Sequence, residues 1–116
     1  MLTLPIKKKW FDMILSGEKL EEYREITPYW TVRLQNQFGA ILLNEEQLVP
    51  FELVVPECAK DPIQTIRFRN GYAAVSPSFL ARCTLRIGAG EPEWGAEPGW
   101  KYFVLGIHDI MREENK

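Results

Sequence analysis

Glu18-Lys19-Leu20-Glu21-Glu22-Tyr23-Arg24-Glu25-Ile26 alternates around a central pair of opposite charges. In an extended chain, alternate residues share a face. One row is Leu20, Glu22, Arg24 and Ile26; the other is Lys19, Glu21, Tyr23 and Glu25. The row with apolar ends is expected to face inward, and it carries Glu22 and Arg24. Burial without a partner is costly for either charge. Together they form either a structural ion pair that orients the strand or the wall of a polar site.

On the N-terminal side, Met1–Leu4 is a candidate strand, and Pro5 suits the first turn of a helix. Ile6, Trp10, Met13 and Ile14 mark one helical face, so residues 7–16 are expected to be helical, with Lys7 and Lys8 outward. Gly17 falls where a left-handed residue ends such a helix. On the C-terminal side, Thr27 and Pro28 suit N-cap and N1. A short helix through Leu34 then sets Tyr29, Trp30 and Arg33 beside the strand. Gly39–Asn44, with its apolar run Ala40 to Leu43, reads as a buried strand. Pro50, Pro56 and Pro62 exclude a long helix over 45–63, where Leu53-Val54-Val55 is a candidate strand and Glu45-Glu46 a turn. Residues 65–69, 79–87 and 100–110 alternate as strands, and Asn70-Gly71 signals a tight turn. The loop at 88–99 carries Trp94 and is expected to pack back on the domain. Five or six strands with short peripheral helices predict an α+β fold, a small mixed or antiparallel β-barrel. Residues 1–116 are read as one domain.

The net charge of −2 on 116 residues argues against a strongly basic coat protein, but the charge is uneven. Residues 1–11 carry +3 and residues 62–90 carry +4, both without an acid, whereas residues 12–61 carry −6. If the two acid-free segments converge, they form a basic surface that the mean hides. Cys58 and Cys83 show no metal-ligand spacing, so neither metal nor cofactor is expected. Two thiols, no export signal and no apolar stretch of spanning length point to the cytoplasm and away from membranes.

Familiar catalytic patterns fail. His108 is the single histidine and reads as structural. Ser76 and Ser78 lack the glycine spacing of a nucleophile elbow. Gly88-x-Gly90 lacks the residues of a dinucleotide or phosphate loop.

Gly17, Lys19, Glu22 and Arg24, however, match a G-x-K-x-x-E-x-R signature, and here the chain resembles the ASCH domains of the PUA-like superfamily. Tyr29-Trp30 with Arg33-Leu34, Phe68-Arg69-Asn70-Gly71-Tyr72, and Trp94-Gly95-Ala96 followed by Tyr102–Gly106 extend the resemblance over most of the chain. It implies a compact PUA-like barrel with a cleft beside the Lys-Glu-Arg motif that faces RNA or a nucleotide. One branch of the family hydrolyses N4-acetylcytidine and has Thr where this chain has Glu22. A carboxylate cannot repeat a Thr nucleophile, although it can act as a general base on water.

The expected ligand-binding set is Lys19, Glu22, Arg24, Trp30, Arg33, Arg67, Arg69 and Tyr72. Arg24 offers a bidentate fork and Lys19 a point charge. Tyr29, Trp30 or Tyr72 offer stacking surfaces, and Arg67 and Arg69 can take phosphates. Three functions follow as expectations. The first is an RNA- or nucleotide-binding module. The second is a small hydrolase of modified cytidine or RNA with Lys19 and Glu22 as its acid–base pair. The third is a protein-interaction adaptor using Trp94 and Trp100.

Overall fold

The computed structural model describes residues 1–111 except Glu45 and Val54, and of Cys58 the backbone alone. The chain runs β1 (Thr3–Ile6), α1 (Lys8–Leu15), β2 (Glu21–Glu25), α2 (Pro28–Phe38), β3 (Ala40–Leu43), β4 (Gln47–Pro50), β5 (Gln64–Asn70), β6 (Ser78–Gly88) and β7 (Tyr102–Met111). Single 3-10 turns lie at Phe51–Leu53, Pro56–Cys58 and Pro92–Trp94.

Five strands form one mixed sheet in the order β1-β5-β6-β7-β2. β1 runs parallel to β5, and the other pairs are antiparallel. The sheet curls into a half-barrel. A register shift at Arg82/Cys83 marks an irregularity in the long β6–β7 ladder, the kind of feature that bends a strand. β3 and β4 form a separate two-stranded hairpin.

The alternation expected of β5 and β6 is present: Ile66 and Phe68, and Phe79, Ala81 and Cys83, all point into the core. Phe11 and Ile14 of α1 and Leu34 and Phe38 of α2 complete it. Phe79 stacks on Phe68 and takes the edge of Phe11, with centroids 5.3 and 5.0 Å apart. Burial pushes the Cys83 thiol up to about 12. A second cluster of Tyr23, Tyr102, Val104 and Ala96 anchors the 88–99 loop to the opposite face, with Trp94 packed against it.

Several local expectations hold. Thr27 caps α2, its Oγ1 accepting from Trp30 N at 3.3 Å, with Pro28 behind it. Gly17 adopts φ +85° after α1. Others change for tertiary reasons. Pro5 lies inside β1, an edge strand where the missing N–H leaves no ladder bond unmade. α2 runs four residues past Leu34 because Phe38 gains a place in the core. Ala40–Leu43 is only partly buried, since its hairpin lies outside the main sheet. Leu53 ends a 3-10 turn and Val54 lies outside the described residues, as does Glu45 of the expected turn. Asn70-Gly71 opens a longer connection to β6: Gly71 N donates to Ile6 O, tying the chain to β1 instead of closing a two-residue turn.

Candidate functional site

β1 and β2 are the two edges of the five-stranded sheet, and the curl brings them to face each other. Between them lies a cleft of about 770 Å³. Pro5 and Ile6 from β1, Glu22 and Arg24 from β2, Trp10 from α1 and Trp30 from α2 are among its walls. The cleft is the unclosed seam of the half-barrel, of the size typical of small-ligand sites.

Lys19 and Glu22 are the two acidic or basic side chains buried among the described residues, at 1% and 5% exposure. Lys19 does not belong to the β2 ladder. Its backbone N donates to Met13 O at the end of α1, so strand parity does not govern it. Lys19 therefore turns inward and Leu20 outward, the reverse of the alternation expected for this segment; Leu20 is 52% exposed. Lys19 Nζ donates to Trp94 O at 2.6 Å and stands 2.8 Å from Glu22 Oε1. Its remaining side meets the Trp10 ring, 4.1 Å from the centroid. The ammonium thus has one hydrogen-bond acceptor in Trp94 O, one countercharge in Glu22 and one aromatic face in Trp10.

The other carboxylate oxygen, Glu22 Oε2, accepts from Arg24 Nη1 at 2.5 Å. Arg24 also donates to Tyr23 O at 2.7 Å and, across the seam, to Pro5 O at 2.9 Å. Its guanidinium lies 5.1 Å from the Trp30 ring centroid. The pair expected from the sequence is thus a Lys–Glu–Arg triad at the floor of the cleft. Glu22 Oε1 is fully buried, and its contact with Lys19 has the angle of an ion pair and not of a hydrogen bond.

Burial lowers the Lys19 pKa from its ordinary value, and the attraction of Glu22 opposes this without overcoming it. Burial also raises the Tyr23 phenol, whose oxygen accepts from Glu91 N at 2.8 Å.

At the mouth, Arg33 lies over Tyr29, its Cζ 3.4 Å from the ring centroid, and Nη1 donates to Tyr29 O at 2.9 Å. Tyr29 in turn meets Trp30 edge to face at 4.9 Å. Tyr72 is 87% exposed on the rim.

Of the expected ligand set, Lys19, Glu22, Arg24, Trp30, Arg33 and Tyr72 all line this cleft. Arg67 and Arg69 do not. They stand on β5, one strand away, opposite Thr3 and Pro5, so the two acid-free segments do adjoin at the β1 edge. Arg69 Nε is buried there without a hydrogen-bond partner. The other arginines of that segment point elsewhere: Arg86 pairs with Glu21, and Arg82 lies opposite Asp109.

Three lining residues were read differently in the sequence. Lys7 looked like a solvated helix face, Trp10 like helix core and Trp94 like a loop anchor or adaptor patch. The close contact of Gly95 with the Trp10 ring, where a Cβ would sit 3.0 Å away, is what brings Trp94 O to Lys19.

His108 lies outside the cleft, 3.0 Å from Thr84 Oγ1. Among the described residues, no group of three or more His, Cys, Asp or Glu could hold a metal ion. No helix there is long and apolar enough to cross a membrane.

No protein-family model, curated protein or solved structure matches the chain. The resemblance to ASCH domains therefore rests on the residues quoted above.

Proposed function

We propose that the protein is an RNA- or nucleotide-binding module of the ASCH, PUA-like type, acting in RNA metabolism or regulation, and that it binds without catalysing. The observation that carries this reading is the seam cleft itself. A floor of paired charges is anchored through Lys19 to Trp94 O, while aromatic rings and cations without an ion-pair partner among the described residues surround the opening. Bases stack on such rings largely without regard to sequence, and Trp30 and Tyr29 already stand at right angles to each other. The cytoplasm suits such a ligand and the free thiol of Cys83.

The hydrolase reading needs Lys19 to reach a substrate as base or nucleophile. Its lowered pKa suits that role, but its side chain is 1% exposed and its ammonium faces Trp94 O, Glu22 and the Trp10 ring within the fold. A positioning role, fixing Glu22 and through it Arg24, accounts for the same geometry. The adaptor reading loses Trp94, which is spent on the cleft wall.

The test is equilibrium binding of single-stranded oligoribonucleotides at low salt, followed by a salt titration. Binding is expected to weaken as salt rises, because phosphate contacts release counterions. Undetectable affinity across the panel, with the protein folded, would sink the proposal.

A further inference from the structure

The charged groups of the cleft are not equivalent. Glu22 is the one carboxylate among the lining residues, against four cations: Lys7, Lys19, Arg24 and Arg33. Both its oxygens are committed inward, one buried against Lys19 and the other bonded to Arg24. A ligand entering the seam therefore meets no accessible carboxylate from these walls. At the mouth it meets Lys7 and Arg33, both exposed.

These two cations differ from others on the surface. Lys8, Arg86 and Lys101 each pair with a carboxylate. Lys7 and Arg33 have no ion-pair partner among the described residues. Arg33 is nonetheless fixed in place by the face and carbonyl of Tyr29. A guanidinium held in this way loses little further freedom when it binds an oxyanion, and its planar fork matches phosphate oxygens.

Resting on the binding function proposed above, we infer that Lys7 and Arg33 form a phosphate subsite. The cleft then selects a phosphorylated base, a nucleotide unit, over a bare nucleoside. The base stacks on Trp30, and the phosphate lies at the mouth. The same chemistry is offered by a free mononucleotide and by one unit of a single RNA strand.

The experiment measures binding through tryptophan fluorescence, since Trp10, Trp30 and Trp94 all line the cleft. The probes are cytidine, guanosine, their 5′-monophosphates and a single-stranded hexaribonucleotide. The proteins are the wild type and the double variant Lys7→Gln/Arg33→Gln, which changes only exposed side chains. Each monophosphate is expected to bind about tenfold or more tightly than its nucleoside, the scale of a lost charge-assisted contact. The double variant should close that gap, bringing each monophosphate to within twofold of its nucleoside. A hexamer that binds at least as tightly as the monophosphates identifies RNA as the source; a weaker hexamer identifies the free nucleotide. Nucleoside and monophosphate within twofold of each other, or a gap that survives in the double variant, overturns the subsite and leaves the binding function standing. No binding by any probe overturns both.

Discussion

Arg24 and Pro5 join the two free edges of the sheet: the guanidinium on β2 donates to the carbonyl on β1 at 2.9 Å. A side chain here does what ladder hydrogen bonds do in a closed barrel, and it leaves the seam open beside it. The same guanidinium holds Glu22, so closure of the half-barrel and shape of the cleft floor depend on one residue.

Arg24→Ala should therefore destabilise the fold by about 3 kcal/mol, the scale of breaking a buried charged pair. Arg24→Lys should recover only part of this, since one ammonium cannot reproduce the planar fork. Urea unfolding measures the loss. Hydrogen exchange should localise it, with faster exchange at the amides of Arg67 and Gly71, which donate to the carbonyls of Leu2 and Ile6 at the two ends of β1. Faster exchange confined to other strands would contradict the bridging role.

Lys19 and Glu22 should behave as a unit. Lys19→Met leaves Glu22 Oε1 buried without its countercharge, and Glu22→Leu leaves Lys19 in the same position. Each single change is expected to cost about 3–5 kcal/mol, and the double variant much less than their sum. Additive losses in a double-mutant cycle would mean that the two side chains act independently.

The Lys19 pKa also predicts a pH dependence. Its folded value lies below its ordinary 10.5. Between those two values the unfolded chain holds a proton that the folded chain has released, so stability attributable to Lys19 rises with pH through that window. Below it, Lys19 is charged in both states and the folded protein carries the full cost of burial. Tyr23, whose pKa is raised from 10.0, works in the opposite direction above pH 10. The measurement is the stability of wild type minus Lys19→Met, followed upward to pH 10. A flat or falling difference would contradict the burial effect.

Gly90 packs against the Tyr23 ring so closely that an added Cβ would lie 2.5 Å from it and 2.7 Å from the Ala96 Cβ. Gly90→Ala should cost about 1–3 kcal/mol by overpacking. It should also loosen the loop that brings Trp94 O to Lys19. A thermal melt gives the first effect. The near-ultraviolet circular dichroism of Trp94 and Trp10 gives the second, and should change more than the far-ultraviolet signal.

Trp30→Leu tests the stacking platform. Trp30 is only partly buried, so the fold should survive. Binding of a single-stranded oligoribonucleotide should weaken by about 1–3 kcal/mol, the value of one base–aromatic stack. Wild-type affinity in this variant would remove Trp30 from the site.

What the sequence alone determined is what short-range chemistry controls. The core faces of β5 and β6 were legible because apolar residues alternate along them. The start of α2 was legible because Thr27 and Pro28 act on their own turn. Glu22 and Arg24 were legible as a pair because they share a face two residues apart. Tertiary structure decided the rest. Lys19 turns inward because it precedes the ladder and answers to Met13, Trp94 and Glu22 instead of to strand parity. Pro5 belongs to a strand, and Lys7, Trp10 and Trp94 to a cleft, because the curl of the sheet carries β1 to β2. No local pattern encodes that approach: it joins residues far apart in the chain, and the site exists only where those edges meet.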